Sequence, residues 1–328
     1  MSAAQLATLS DDELLERVQR QTFRFFWEAG HPVSGLPPDR RPAGTTQSAQ
    51  LAAVGGSGFA LMALVVAVER GWITREQALE RLGAMLDVLG RAACYHGALP
   101  HFLDGGTGAT IPFSRKDDGG DLVETSFLCM GLLTARQYFE RDTPAEKRLR
   151  QAMTWLWEEV EWDWYARGAR GVLYWHWSPN NGWALEHEIR GWNECLITYV
   201  LAAGAPRYPI DPHVYHRGFA AGRDFINGRS WSGIELPLGP AFGGPLFFAH
   251  YSFCGLDPRG LADRYASYWE QNLRHVRINH AHCAANPKHH RGYGEHCWGL
   301  TASDDPDGYA AHSPTEDNGT IAPTAALA

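Results

Sequence analysis

The feature that most constrains this chain is a repeated two-helix grammar, in which a nearly all-apolar helical stretch is followed by a turn and an amphipathic helix with a clear start signal. Leu61, Leu64, Val65 and Val68 form one stripe; Gly71 can end that helix, and Thr74 with Gln77 makes a capping box opening the next. The grammar recurs where the apolar run Phe127 to Leu133 extends to Phe139 and Thr143, Pro144 and Glu146 supply a cap, a first-turn proline and a capping-box acid. Two further pairs are predicted, Trp192 to Ala203 with Pro212 to Asn227, and Gly243 to Cys254 with Leu261 to Ala285. With Asp11 to Ala29 the periodicity gives about nine helices. An apolar helix paired repeatedly with an amphipathic one describes an inner ring wrapped by an outer ring.

Between the helices run long stretches without periodicity, His96 to Gly120, Gly168 to Arg190, Arg229 to Gly243 and Asn286 to Ala328. Loops of that length in a compact fold usually line a functional site. Leu173, Trp175 and Trp177 alternate with Tyr174 and His176, which predicts one short strand or hairpin. No linker divides the 328 residues, so they read as a single domain. The helix count is short of a closed ring, and Thr324 to Ala328 carry no cap or charged tail, so the fold is expected to be incomplete at its C-terminus.

Composition narrows the partners. A formal charge of −8 without any basic block makes nucleic acid and anionic lipid surfaces poor partners. The apolar stretches fall short of the roughly 20 residues a membrane-spanning helix needs. Met1 to Gln21 lacks the pattern of an export signal, so a cytoplasmic chain, or a periplasmic one whose leader is missing, is expected. Six scattered cysteines without a CxxC pair read as free thiols. The histidine-rich run from His280 to Cys297 matches no standard zinc spacing, so no metal is expected. Nothing points to a protein partner.

The 13 tryptophans are unusual because many stand in glycine- and proline-rich connections, where no core-facing period explains them. If inner helices run parallel, their N-termini gather at one mouth. Asp121 and Glu124 open one apolar helix and Glu194 opens another, after a loop carrying Trp175, Trp177 and Trp183. Asp-x-x-Glu before an apolar run is also a capping box, and Glu194 is also an ordinary first-turn acid. Paired carboxylates beside stacking aromatics are nonetheless what glycosidic cleavage requires, one acid to protonate the leaving oxygen and one carboxylate to activate water or attack the sugar. Tryptophan faces pack against the C–H faces of pyranose rings.

The stretches FFWEAGHPVSGL (Phe25 to Leu36), DGGDLVETSFL (Asp118 to Leu128), LYWHWSPNNGW (Leu173 to Trp183), IRGWNE (Ile189 to Glu194), GIELPLGPAFGGPLFFAHYSF (Gly233 to Phe253) and YGEHCWGLTASDDPDGYAAHSP (Tyr293 to Pro314) resemble the bacterial glycoamylase-like family. That family includes the endo-β-1,2-glucanases of glycoside hydrolase family 144 and is related to a domain of cyclic β-1,2-glucan synthases. The resemblance implies an (α/α)6 toroid, hydrolysis of β-1,2-glucan with inversion, no cofactor, and Asp121, Glu124 and Glu194 as the acidic cleft residues. Arg190, Trp192, Trp175, Trp177, Trp183, Asn193 and Glu295 are the candidate substrate-binding residues. The carboxylate whose surroundings oppose ionisation should be the acid. Glu194, following Trp192, is expected in that role, with Glu124 and Asp121 as base or water-positioning pair. A non-catalytic glucan-binding remnant and a glucan transglycosylase are the other expected functions.

Overall fold

The computed structural model describes residues 3–41, 50–168 and 170–327; Ala328, the end of the uncapped C-terminal stretch noted above, lies outside them. The fold is rich in helix and divides into two compact units. The first is made of Met1–Tyr165, Trp175–Glu186 and Ala205–Tyr208, the second of Ala166–Tyr174, His187–Gly204 and Pro209–Ala328.

In the first unit part of the predicted capping chemistry forms. A single turn α1 (Ala3–Leu6) precedes α2 (Asp11–Glu28), which Ser10 opens with a capping box to Glu13. Two helix pairs follow, α3 (Val54–Glu69) with α4 (Arg75–Leu89) and α5 (Leu122–Tyr138) with α6 (Pro144–Glu158). Thr74 and Gln77 close the predicted capping box of α4. The apolar helices α3 and α5 cross at bare backbone: a Cβ on Gly58 would lie 2.0 Å from the Phe127 carbonyl oxygen. Leu61, Leu64, Leu82, Met85, Leu128, Leu132 and Met153 join one core cluster around that crossing.

Glu146 departs from its predicted role. Thr143 does cap α6 by accepting the Glu146 N–H, but the carboxylate turns away from the cap and takes both Nε (2.9 Å) and Nη2 (2.8 Å) of Arg75 and the backbone N–H of Arg141 (2.8 Å). The bond from Arg75 and that N–H hold the Glu146 carboxyl below its ordinary range. Its stabilising contribution is therefore complete above its ordinary value of 4.5 and is lost as the pH falls through the lowered one. Glu146→Ala should leave the half-buried Arg75 unpaired and cost about 3–5 kcal/mol, read by denaturant melts at pH 7, with the deficit shrinking toward pH 3.

Three short pairings complete this unit. Strands β1 (Leu51–Ala53), β2 (Phe102–Asp104) and β3 (Thr110–Ile111) form one antiparallel sheet, and β4 (Gly120–Asp121) pairs with β5 (His176–Trp177), the strand predicted from the alternation around Trp175.

In the second unit the helical predictions hold less well. The helix predicted from Trp192 begins only at Leu196 as α7 (Leu196–Gly204), and Pro212 to Asn227 gives a five-residue π-type turn, Tyr215–Phe219, rather than a helix. Residues predicted helical at the end of that segment enter the hairpin β6 (Ile226–Trp231) and β7 (Ile234–Leu238). Gly243 to Cys254 is broken into the 3-10 turns Ala241–Gly243, Leu246–Ala249 and Tyr251–Cys254, because Phe242, Gly243 and Gly244 all have positive φ. Helix α8 (Tyr268–Ala285) follows, then the hairpin β8 (Ala302–Asp305) and β9 (Gly308–Ala311), which turns at the aspartate run. No helix among the described residues is long and apolar enough to cross a membrane.

Candidate active site

The DGGD motif owes its glycines to a close backbone approach. A Cβ on Gly119 would stand 2.2 Å from the Trp177 carbonyl oxygen, and one on Gly120 2.2 Å from the Tyr165 hydroxyl. Bare of side chains, the segment pairs with β5 in the register Gly120↔Trp177 and Asp121↔His176. The Asp121 N–H donates to the Leu99 carbonyl and the Leu122 N–H to the Trp175 carbonyl, both at 2.8 Å, so the chain enters α5 fixed on both sides.

Asp121 is the N-cap of α5 and is fully buried. Its Oδ1 accepts the N–H groups of Val123 (3.0 Å) and Glu124 (2.9 Å), while its Oδ2 meets Nδ1 of His101 at 2.8 Å. The reciprocal half of a capping box does not form. Glu124 instead reaches to the neighbouring helix, where its Oε2 accepts the Gly55 N–H (2.8 Å) in the first turn of α3. Gly55 is glycine for that reason, since a Cβ there would stand 2.4 Å from Glu124 Oε2. The second Glu124 oxygen makes no hydrogen bond to a described residue.

The two carboxyl groups differ in surroundings. Burial pushes the Glu124 carboxyl up to about 7, and the Asp121 anion one turn away adds to the push, against the opposing His101 charge and Gly55 N–H. Burial alone would lower the His101 imidazole, yet its bond to Asp121 and the charges of Glu124, Asp121 and Asp117 raise it to about 9. His101 escaped the sequence reading because it stands in an aperiodic loop. Its position within a long unpatterned stretch was the one signal available.

An aromatic cluster adjoins β5. Trp164 stacks on His96 with ring centroids 3.8 Å apart, and Trp177 meets His96 edge-on at 5.1 Å. Trp183 tilts toward Trp164 at 6.3 Å, and the Trp164 ring is 40% exposed. Of the predicted tryptophans, Trp175, Trp177 and Trp183 are half-buried in this unit. Trp164 was not predicted, since it follows an amphipathic helix and reads as its continuation. Buried beneath the cluster, His176 pairs through Nε2 with Asp117 Oδ1 at 3.1 Å.

The other predicted residues belong to the second unit, where one assignment changes. Trp192 is a core residue, 2% exposed, stacked on Tyr268 with centroids 5.6 Å apart and ringed by Phe219, Phe225 and Phe253; its face is not open to a sugar. Arg190 is exposed; its Nε pairs with Glu188 and its Nη1 donates to the carbonyls of Arg217 (3.3 Å) and Gly218 (3.2 Å). Asn193 accepts the Cys195 N–H at 3.0 Å, and Glu194 occupies the turn just before α7, half-buried, with its carbonyl accepting from Ser252. Glu194 is therefore not a first-turn helical acid. Glu295 is exposed, with its carbonyl against His280 Nε2. The histidine-rich run gives an ion pair of His282 with Asp317 at 3.0 Å; the described residues contain no cluster of three metal-ligating side chains. None of the six cysteines forms a disulfide, and Cys129, Cys195 and Cys283 are buried.

Comparison with known proteins is decided by one solved structure, from Bacteroides uniformis and described as a “putative glucoamylase”. It is 55% identical, superposes with a TM-score of 0.94, and the match covers 98% of this chain and 77% of that one. The chain belongs to the glycoamylase-like family. The family profile “Glycoamylase: Putative glucoamylase” matches residues 186–328. Within the family, the endo-β-1,2-glucanase of Chitinophaga pinensis, solved with sophorotriose and glucose, is 48% identical with a TM-score of 0.92 over 98% of this chain and 78% of its own. A curated relative, the exo β-1,2-glucooligosaccharide sophorohydrolase (non-reducing end) of Parabacteroides distasonis, is 45% identical over 98% of this chain and 47% of its own length. The chain thus spans about half the length of that curated relative.

Proposed function

We propose that this protein hydrolyses β-1,2-glucan with inversion, in endo fashion, and that its helix pairs α3–α4 and α5–α6 are successive inner and outer members of an (α/α)6 toroid. The observation that carries the reading is Glu124, a half-buried carboxyl raised to about 7 beside the capped Asp121 and joined through β4 and β5 to a wall of tryptophan and histidine rings. A carboxyl titrating near neutrality holds a proton at working pH and can still give it up, as leaving-group protonation requires.

In this reading Glu124, raised by desolvation, is the proposed acid. Asp121, whose oxygens serve two helix amides and His101, acts by orienting Glu124 and not as the water-activating base. Glu194 is the proposed second catalytic carboxylate, on the strength of the IRGWNE motif. Trp164, Trp177 and Trp183 offer ring surface to the C–H faces of the sugar.

The relatives support the linkage: one is an endo-β-1,2-glucanase and another an exo-acting sophorohydrolase. Incubating the purified chain with linear β-1,2-glucan and with β-1,3- and β-1,4-glucans, then separating products, tests the proposal. A ladder of short β-1,2-oligosaccharides is expected. Release of sophorose alone would replace endo by exo action, and longer or cyclic products would make the protein a transglycosylase. Binding without any released sugar would leave a glucan-binding remnant.

A further inference from the structure

We propose that His101 is a positioning residue that fixes the proton of the Asp121–Glu124 pair, keeping Asp121 the anion and Glu124 the proton carrier. The inference deepens the reading of Glu124 as the acid and rests on it. Two carboxyl groups one helical turn apart in a buried setting disfavour double ionisation, so one proton is shared unless something breaks the symmetry. Asp121 Oδ1 receives two helix amides, which are fixed by the backbone whatever residue stands at 101. Asp121 Oδ2 receives His101 Nδ1 at 2.8 Å, among the described residues the one donor to this pair that can bring a full positive charge. Glu124 has no such partner among the described residues, where it receives only the neutral Gly55 N–H.

The position of the imidazole is set by the scaffold. The His101 carbonyl accepts the Val54 N–H at 3.1 Å, so His101 and Glu124 are tied to the same first turn of α3. The ring packs against Phe102 and Phe113, with centroids at 4.5 and 4.3 Å, and only a fifth of the side chain remains exposed, which limits the water that can screen its charge. The charged groups facing it are Asp121 and Glu124 from α5 and Asp117 from the preceding loop, which His176 engages in turn; Asp39 acts on Glu124. The imidazole's rise to about 9, against the burial that opposes it, agrees with a ring that stays charged throughout the working range.

His101→Asn keeps an N–H donor at the Nδ1 position for Asp121 while removing the charge. If Glu124 is the acid, activity on β-1,2-glucan falls as the pH rises through its titration. Loss of the nearby cation should raise that titration and move the basic limb of the kcat/KM profile up by about one pH unit. A purely structural histidine predicts a lower melting temperature with the limb unmoved, and that result in a folded variant would overturn the proposal. A second arm needs no turnover: in the intact chain with 15N-labelled histidine, the His101 ring nitrogens should show the doubly protonated form at pH 7.5, and Asp121→Asn should convert them to the neutral form. A neutral ring in the wild-type protein would also overturn it. Should the wild-type chain cleave no glucan, the hydrolase reading fails while the nitrogen spectra still decide the state of His101.

Discussion

Glu124→Gln is expected to lower the turnover of linear β-1,2-glucan by about 10²–10⁴-fold, the usual contribution of a positioned general acid. On a glucoside with an activated phenolate leaving group, which departs without protonation, the same variant should recover most of the wild-type rate. Glutamine is a fair probe because its carbonyl can still accept the Gly55 N–H that Glu124 Oε2 accepts at 2.8 Å, so geometry is kept and only the proton is removed. Because burial raises Glu124 to about 7, wild-type activity should decline above neutrality as the acid ionises, and the variant on the activated substrate should lose that basic limb. If Glu194 is the carboxylate that activates water, Glu194→Gln should be severe on both substrates. Selective rescue of Glu194→Gln in place of Glu124→Gln would reverse the assignment and return the acid role to Glu194.

The largest structural effect is expected at the crossing of α3 and α5. A Cβ on Gly58 would stand 2.0 Å from the Phe127 carbonyl oxygen, and one on Gly131 2.1 Å from the Gly58 carbonyl oxygen, so neither helix can give way by rotating a side chain. Gly58→Val should therefore push the helices apart and destabilise the protein by more than about 3 kcal/mol, at the upper end for overpacking. Gly83→Ala is the contrasting case. Gly83 lies inside α4 with nothing within 4 Å of its added Cβ, and the change should stabilise by about 0.5–1 kcal/mol through helix propensity. Chemical denaturation of both variants checks the pair, and equal losses would show that the crossing tolerates a side chain. Gly58→Ala, the milder clash, should also disturb catalysis, since α3 carries the Gly55 N–H that holds Glu124.

What the sequence made legible follows from locality. Thr74 and Thr143 cap helices through bonds made within three residues, and such signals survive any tertiary arrangement. The apolar runs of α3 and α5 were equally plain. The failures came where distant contacts overrule a local period. Tyr215 and Phe219 stand four residues apart, as on one helix face, yet their rings pack with Phe225 as an aromatic cluster, and a Cβ on Gly222 would stand 2.1 Å from the Gly191 nitrogen. Trp192 was misread for a related reason: a tryptophan beside glycine in a loop looks like binding surface, but the chain folds back to bury it. In the site, Asp121 and Glu124 were legible as a pair. Their difference was not, because it depends on His101 and Gly55, 20 and 69 residues away in the chain.

The pairing of β4 with β5 carries a consequence for how a sugar chain is met. The residue that begins the acid-bearing helix and the residue that begins the tryptophan wall lie opposite each other in one ladder, Asp121 against His176 and Gly120 against Trp177. The main chain therefore ties Trp177 directly to the entry of α5. If Glu124 is the acid, a pyranose ring that settles against Trp177 would be registered along the chain relative to it, as a key's teeth are registered by its shoulder. Fidelity for one linkage geometry would then be built into the ladder itself, and a glucan whose successive rings turn at a different angle would rest on the aromatic surface with its glycosidic oxygen out of the proton's reach.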